Sequence, residues 1–417
     1  MIKTNDFFEI QMNDLLSKMN SDRQINALNP AKTTRMLLRY IRALHPISRI
    51  ELARRLGVNR STVTEIVKPL IVGGIIREAS NQSDNVNRTQ GRPPVGLCFN
   101  DENDFFVGLN LGVRHSQVGL ATITGEVLTE EEFETPSEPE VALKTAREKI
   151  ESLCAGVEKR TLRTIGVSVP GPTDETRRKL LYAPHLGWSN VAVADMLAFG
   201  DVPVIVENDA TAAAIFESRI KLRHSTDNLL NNFILVRSGT GIGVGLVIDD
   251  EIYRGTGRGQ GFAGEFGHMT IMAGGKPCVC GNRGCWEKYA SASSAASLYT
   301  GDRGSFDGSK MPRFVEIVAR AKVGETRAQK TLEKIGEYLG IGIANVIMGI
   351  GVQQVIVSGR LVYGWKYINK PLREAIKRSI VGKTSNWTVE CGEPKGSALG
   401  GALEVAVEEF IASGLMI

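Results

Sequence analysis

Apolar residues recur at helical spacing in three successive segments between residues 31 and 74. The first segment stops before Pro46. The second opens with the capping-box sequence Ser48-Arg-Ile-Glu51, and Asn59 is placed to cap the third. Two short helices joined by a Gly-Val-Asn turn predict a helix-turn-helix unit, whose last helix is the type that enters the major groove of DNA.

The residues that follow the third helix predict a wing. Residues 75–78 begin a strand, residues 81–90 form a polar loop, and residues 93–99 return as the partner strand. Near the end of this loop, Arg92 lies between Gly91 and Pro93 on an extended backbone, which suits a narrow minor groove. We therefore expect a winged helix-turn-helix over residues 31–100, preceded by a weakly helical extension over residues 1–30.

A different pattern begins at Phe105 and occurs twice. Each copy has a strand, a turn containing glycine, a second strand and a turn into a third strand, starting at Phe106 and at Phe233. Helical stretches and a buried strand follow in both copies, over residues 165–169 and 355–359. A duplicated unit flanking a cleft is typical of actin-like ATPases and sugar kinases. We therefore expect an α/β body with two such lobes over residues 101–417.

Positive charge is concentrated in the predicted DNA-binding module. The whole chain has a formal net charge of +4, whereas residues 32–92 hold twelve Lys and Arg against four Asp and Glu. A basic module on an acidic body indicates that one end meets a polyanion, although a solvated charged face has the same composition. The residues predicted to contact DNA are Arg49, Asn59, Arg60, Ser61, Thr62, Thr64, Lys68 and Arg92.

The composition is that of a globular protein with two or three domains. Its hydrophobic fraction of 42% and charged fraction of 23% are ordinary for this class. No uncharged apolar stretch of about 18 residues occurs, and the N-terminus is polar and mixed in charge, unlike a signal peptide. We expect a cytoplasmic protein.

Three of the six cysteines lie close together, beginning ten residues after His268. Three thiolates and one imidazole form a standard closed tetrahedral set for zinc. A disulfide or free thiols beside a buried histidine are the alternatives, but a C-x-C pair bridges poorly and no secretory signal accompanies it. We predict structural Zn²⁺, because no coordination position stays open for a catalytic water. The predicted metal ligands are His268, Cys278, Cys280 and Cys285.

A second candidate site follows the buried strand that begins at Val204 and ends in Glu207-Asn208-Asp209. Ligand contacts in α/β folds lie at strand ends. Carboxylates and amides suit polyols because they accept or exchange hydrogen bonds with neighbouring hydroxyl groups. The Asn208-Asp209 pair is also compatible with a simple helix cap.

Together these motifs resemble the ROK family, which groups sugar-responsive repressors with bacterial sugar kinases. The resemblance rests on the helix-turn-helix, Gly-Thr-Gly-Ile-Gly-x-Gly at residues 239–245, Glu265-x-x-His268, and Cys-x-Cys-Gly-x-x-Gly-Cys-x-Glu at residues 278–287. It covers the chain from about residue 31 onward. It implies that Asp209 matches the catalytic base of the family kinases and is vestigial here. It also implies a sugar site made of Asn208, Asp209, Glu265, His268 and Glu287.

The first glycine turn departs from the pattern of the family kinases. Those enzymes carry an aspartate and a Gly-Thr pair there, which position Mg²⁺ and phosphates, whereas this chain has Asn110, Val113 and Arg114. We therefore expect no phosphotransfer and no catalytic residue. The second turn remains glycine-rich and is a candidate nucleotide loop, although a tight β-turn has the same composition. Its residues are Gly239, Thr240, Gly241 and Gly243.

These patterns favour a DNA-binding transcriptional repressor of sugar uptake or catabolism genes, whose operator affinity is set by a sugar. A pseudo-palindromic operator implies a homodimer, or a dimer of dimers. One alternative is an ATP-dependent sugar kinase with an accessory DNA-binding domain. Another is a repressor controlled by a protein partner such as a sugar-transport component. Glucose, xylose and N-acetylglucosamine all suit these residues, because only the shape of the pocket separates them.

Overall fold

The computed structural model describes residues 30–79, 95–157, 159–224, 232–257, 261–301, 311–393 and 397–413. The chain divides into two compact units. The first runs to Asn103 and includes the C-terminal residues from Ile411, and the second is Asp104–Phe410. No helix in these described ranges is long and apolar enough to cross a membrane. The extension predicted before residue 30 lies outside them.

The first unit contains the predicted helix-turn-helix and the strands of its wing. Its elements are α1 (Pro30–Leu44), β1 (Ile47–Ser48), α2 (Arg49–Leu56), α3 (Arg60–Val72), β2 (Ile76–Ala79) and β3 (Gly96–Phe99). Strand β3 pairs antiparallel with both β1 and β2. Residues 80–94, which include Arg92, lie outside the described residues.

Local chemistry sets the ends of α2. Ser48 caps the helix because its hydroxyl oxygen accepts a hydrogen bond from the backbone N–H of Glu51, with an N to Oγ distance of 3.2 Å. Gly57 ends it in the left-handed conformation, with φ at 66°.

The start of α3 corrects one prediction. Asn59 occupies the cap position with an extended backbone, but its side chain makes no cap hydrogen bond. Its carbonyl instead accepts the N–H of Val63 at 3.2 Å, and the side chain is exposed, so water can satisfy the first N–H groups of the helix. The apolar face predicted for α3 is buried at Val63, Val67 and Leu70.

The second unit contains two five-stranded sheets of the same topology. The strands of its first half are β4 (Asp104–Asn110), β5 (His115–Ala121), β6 (Val127–Glu134), β7 (Thr161–Val169), β8 (Leu180–Ala183), β9 (Trp188–Val191) and β10 (Val204–Asn208). Those of its second half are β11 (Phe233–Ser238), β12 (Ile242–Ile248), β13 (Glu251–Ile252), β14 (Gln354–Gly359) and β15 (Thr388–Cys391).

The strand orders β6-β5-β4-β7-β10 and β13-β12-β11-β14-β15 are equivalent. In each sheet the first three strands along the chain pair antiparallel, and the last two extend the sheet in parallel. Strands β8 and β9 form a separate hairpin. The predicted duplication is confirmed, and we call the halves built on these sheets the first and second lobes.

Helices cover both sheets and complete the two apolar cores. The helices are α4 (Pro139–Ala155), α5 (Val193–Met196), α6 (Asp209–His224), α7 (Glu287–Ala290), α8 (Ser294–Thr300), α9 (Phe314–Lys322), α10 (Thr326–Ile350), α11 (Trp365–Arg378), α12 (Ile380–Thr384) and α13 (Ser397–Ser413). Short 3₁₀ helices span Glu265–His268 and Arg360–Gly364. Helix α6 follows β10 directly and packs on the second sheet through Ala213 and Ala214, so its first turn lies where the two lobes meet.

Candidate ligand site and metal centre

A cavity of about 920 Å³ is lined by residues of both lobes. The end of β10 and the start of α6 supply two of the five residues predicted to bind the sugar. The 3₁₀ helix Glu265–His268 supplies two more, and α7 supplies the last. The structure therefore brings all five to one cavity: Asn208, Asp209, Glu265, His268 and Glu287.

Asn208 is the N-cap of α6. Its Oδ1 accepts the N–H groups of Ala210 at 2.9 Å and Thr211 at 3.2 Å. Its Nδ2 donates to the carbonyl of Gly171 at 3.2 Å. The cap interpretation of this residue therefore holds, and one amide N–H is left for a ligand.

Asp209 is ion-paired with Arg237 of β11. The guanidinium engages one carboxylate oxygen, so a ligand hydroxyl has to share Asp209 with it. Arg237 also lines the cavity, and sequence reasoning missed it. The one available signal was a single charge at the end of the apolar run of β11.

Glu287 is 4% exposed and receives contacts from both lobes. The Cys278 thiol donates to its Oε1 at 3.2 Å, and Nε2 of His185 lies 3.6 Å from the same oxygen. Burial disfavours the charge, but His185 and His268 face the carboxylate and lower the pKa of Glu287 below its ordinary value. At neutral pH Glu287 is therefore an ionised hydrogen-bond acceptor. His185 was not predicted from the sequence.

The pKa of Glu265 is shifted in the opposite direction, above its ordinary value. Burial, together with the nearby charges of Asp209 and Glu287, raises the pKa of Glu265 from 4.5 to about 7. The native state therefore binds a proton between pH 4.5 and 7 that the unfolded chain has released, and this carboxyl makes the protein less stable as the pH rises through that window.

Glu265→Gln should remove this pH dependence, because glutamine imitates the protonated acid. The difference in unfolding free energy between the variant and the wild type should be close to zero near pH 4.5 and should reach about 3 kcal/mol in favour of the variant above pH 7. Denaturant unfolding of both proteins between pH 5.5 and 8 measures it. A difference that stays constant over that range would show that Glu265 does not titrate there.

The four predicted metal ligands converge, with their ligand atoms all within 4.8 Å of one another. The Cys278 Sγ to His268 Nδ1 distance is 3.6 Å, and Cys280 Sγ to Cys285 Sγ is 3.7 Å. A tetrahedral zinc ion requires about 3.8 Å between two sulfurs and about 3.5 Å between sulfur and nitrogen, given metal–ligand bonds of about 2.3 and 2.0 Å. These two distances therefore fit a zinc ion, and the remaining pairs, which lie within 4.8 Å, would draw together by about 1 Å or less on binding it.

The loop that carries the cysteines is anchored at both ends. At its start, the backbone N–H of Lys276 donates to the Tyr289 hydroxyl at 2.7 Å. Trp286 is fully buried and its indole N–H donates to the carbonyl of Tyr338 at 2.9 Å. Gly284 has φ at 77°, and a Cβ there would lie 1.8 Å from the carbonyl oxygen of Met272. By contrast, Val279 is half exposed. Protein contacts thus hold the two ends of the loop at Lys276 and Trp286, and the cysteine cluster lies between them.

The glycines of the second turn have different neighbours. A Cβ at Gly241 would lie 2.3 Å from Glu287 Oε2, and one at Gly243 would lie 2.7 Å from Ala210 Cβ, whereas one at Gly239 would meet nothing within 4 Å. Close packing thus requires two of the glycines assigned to the candidate nucleotide loop. All of that loop, including Thr240, lines the same cavity.

The first unit presents the polar face of α3 to solvent, with Arg60, Ser61, Thr64 and Lys68 exposed and Thr62 partly exposed. The Thr64 hydroxyl donates to the Arg60 carbonyl at 2.9 Å. Arg49 differs from these, because it pairs with Glu78 of β2 at 2.6 Å and its side chain is 19% exposed. This ion pair links the start of α2 to the wing strand β2, and the predicted DNA contact of Arg49 stays a prediction.

Comparison with known proteins agrees with both parts of the chain. The model described as ROK family matches residues 106–407, and one described as winged helix-turn-helix DNA-binding matches residues 31–77. The xylose repressor of Bacillus spizizenii is 30% identical over 358 residues, covering 84% of this chain and 88% of that protein. The DNA-binding transcriptional dual regulator NagC of Escherichia coli is 26% identical over 360 residues, covering 84% and 85%.

Two solved structures match different extents of the chain: one matches nearly all of it, and the other matches about the length of the sugar-kinase-like body. A ROK family transcriptional regulator, a homologue of the E. coli MLC protein, has a TM-score of 0.73 at 25% identity and covers 92% of this chain and 98% of its own. A ROK family glucokinase from Streptomyces griseus, in complex with glucose and AMPPNP, has a TM-score of 0.63 at 25% identity and covers 72% and 99%. The predicted architecture, a winged helix-turn-helix followed by a sugar-kinase-like body, is confirmed.

Proposed function

Because this chain belongs to the ROK family and carries a winged helix-turn-helix ahead of the family domain, we propose that it is a transcriptional repressor of sugar uptake or catabolism genes. The relatives described above are named repressor or regulator, and the solved regulator matches more of the chain than the glucokinase does. This agrees with the predicted regulator and disfavours the kinase. The observation that carries a sugar-responsive role is the convergence of Asp209, Glu265, His268 and Glu287 on one cavity.

The cavity suits a neutral polyol. Asp209 and Glu287 accept hydrogen bonds from hydroxyl groups, Asn208 has one N–H left to donate, and Glu265 either donates or accepts according to its protonation. Such a set satisfies several neighbouring hydroxyls at once, which is the requirement for a sugar ring. The ligand set alone does not select one sugar.

Structural zinc links this cavity to the cysteine loop. His268 points Nδ1 at the cluster, which leaves Nε2 for a ligand oxygen. Zinc would hold Cys278 as a thiolate, so the thiol proton that now contacts Glu287 would be lost. Glu287 would then offer both of its oxygens to ligand hydroxyls. Zinc would supply rigidity here and no open coordination position for chemistry.

Operator binding is assigned to α3 and the wing, in a homodimer or dimer of dimers that reads a pseudo-palindrome. A sugar that prefers the closed cleft lowers the affinity for the operator only if the two conformations differ in that affinity. A sugar-transport protein that took over this control would bind the chain while sugars would not.

Arg60→Ala tests the assignment of α3. Arg60 is exposed in the first turn of the helix, so its loss should weaken operator binding about tenfold, as removal of one base or phosphate contact typically does, without changing the melting temperature. Lys330→Ala, an exposed cation on α10 of the second unit, is the matched control. Equal losses for both variants in a fluorescence anisotropy titration would mean that α3 has no special role.

A sugar panel and an ADP-release assay test the function itself. Sugars that bind the native state should raise the melting temperature, and no sugar should give ADP release above background. If the protein released ADP with a sugar, and Asp209→Ala abolished that turnover, the kinase alternative would replace the repressor.

A further inference from the structure

His185 belongs to the first lobe but reaches the second. It lies between β8 and β9, and this hairpin packs into the first core through Leu180, Ala183 and Trp188. Its partner across the cavity, Glu287, follows Trp286, which is part of the second core. The His185–Glu287 contact therefore joins the two lobes at the cavity.

The geometry leaves this contact incomplete. Nε2 of His185 is 3.6 Å from Glu287 Oε1, which is longer than a hydrogen bond. That nitrogen is buried and has no hydrogen-bond partner among the described residues. A Cβ at Gly241 would lie 3.6 Å from the same nitrogen, so the backbone of the second turn forms the wall beside it. A buried polar nitrogen without a partner is costly unless a ligand satisfies it.

A sugar hydroxyl has the matching chemistry. One hydroxyl can donate its proton to the Glu287 carboxylate and accept a hydrogen bond from an imidazole N–H at the same time. No single apolar group or anion does both. Both side chains line the cavity that holds the other predicted sugar ligands.

We propose that His185 is a further effector-binding residue that determines specificity, and that it holds one hydroxyl of the sugar together with Glu287. This proposal rests on the sugar-responsive function above. Because the two side chains come from different lobes, the shared hydroxyl fixes the distance between the lobes when the effector is bound. Recognition of one ring position and closure of the cleft are then the same event.

His185→Ala should weaken binding of the effector about tenfold in calorimetry, because one hydrogen bond is lost and the hydroxyl loses a buried partner. Zinc content and operator affinity without sugar should stay as in the wild type. His115→Ala is the matched control, since His115 lines the same cavity but is exposed and lies beside Glu132. It should leave sugar affinity unchanged.

A panel of deoxy-sugars identifies the contact. At one ring position, removal of the hydroxyl should weaken binding to the wild type by about tenfold more than it weakens binding to His185→Ala. Equal losses for both proteins at every position, or wild-type affinity of the variant for the parent sugar, would overturn the role of His185 alone. A wild-type protein that binds no sugar would overturn the proposed function as well.

Discussion

Cys280→Ser is expected to release the metal from this protein. Removal of one thiolate leaves three ligands, and changes to groups outside the coordination shell already cost about 10- to 100-fold in metal affinity, so loss of a ligand should cost at least 100-fold. Elemental analysis of the purified chain should therefore find close to one zinc per wild-type chain and close to none per variant chain.

The same substitution should abolish sugar binding while leaving operator binding intact. His268 and Glu287 both contact Cys278, so a loosened cysteine loop displaces two of the predicted sugar ligands. The apolar core around Trp286 remains, and the DNA-binding module is a separate compact unit. Calorimetry with the effector and an operator titration distinguish these effects.

Cys391→Ser provides the control, because this exposed cysteine lies outside the cluster. It should keep zinc and sugar affinity at wild-type values. A Cys280→Ser protein that retained a full equivalent of zinc and bound sugar normally would refute the structural metal site.

Gly241→Ala is expected to reduce sugar affinity about 100-fold. The new Cβ would lie 2.3 Å from Glu287 Oε2, so the buried carboxylate has to leave its position. Two hydrogen bonds to a charged group are then lost, each worth about 1.5 kcal/mol, which gives the expected factor. Calorimetry with the effector measures this change.

Gly239→Ala separates packing from nucleotide binding. It lies in the same turn, but its Cβ would meet nothing within 4 Å, so sugar affinity should change less than about twofold. If the turn instead served to cradle phosphate through its backbone, both substitutions, Gly239→Ala included, would weaken binding of an ATP analogue. That pattern would restore the nucleotide interpretation of this loop.

Much of the architecture could be predicted because its signals are local. The duplicated sheets could be predicted because each strand has its own apolar pattern and is bounded by glycine turns. The metal cluster was readable because three of its four ligands lie within eight residues, with a spacing that few other structures need.

Other roles were decided by distant parts of the chain. Arg237 and His185 act through Asp209 and Glu287, which belong to other elements, so nothing near them in the sequence indicates the contact. The ion pair of Arg49 with Glu78 was likewise not predicted, because Glu78 lies on a neighbouring strand 29 residues along the chain. Single polar residues on the surface have several possible partners, and only the tertiary structure selects among them.

The glycines of the second turn show how one composition can have two causes. A phosphate-binding loop and a site of close packing both require residues without a side chain. The sequence could not separate them, whereas the distances from Gly241 to Glu287 and from Gly243 to Ala210 favour packing.

The most direct test of a sugar-controlled repressor is operator affinity measured with and without its effector. The operator is obtained by selection from random DNA with the full chain, and the effector is the sugar that raises the melting temperature most. In a fluorescence anisotropy titration at fixed salt, saturating sugar should weaken operator binding at least about tenfold, within the range of typical allosteric coupling. The effect should be absent in Glu287→Ala. Operator affinity that is unchanged by every sugar that binds would contradict the proposal.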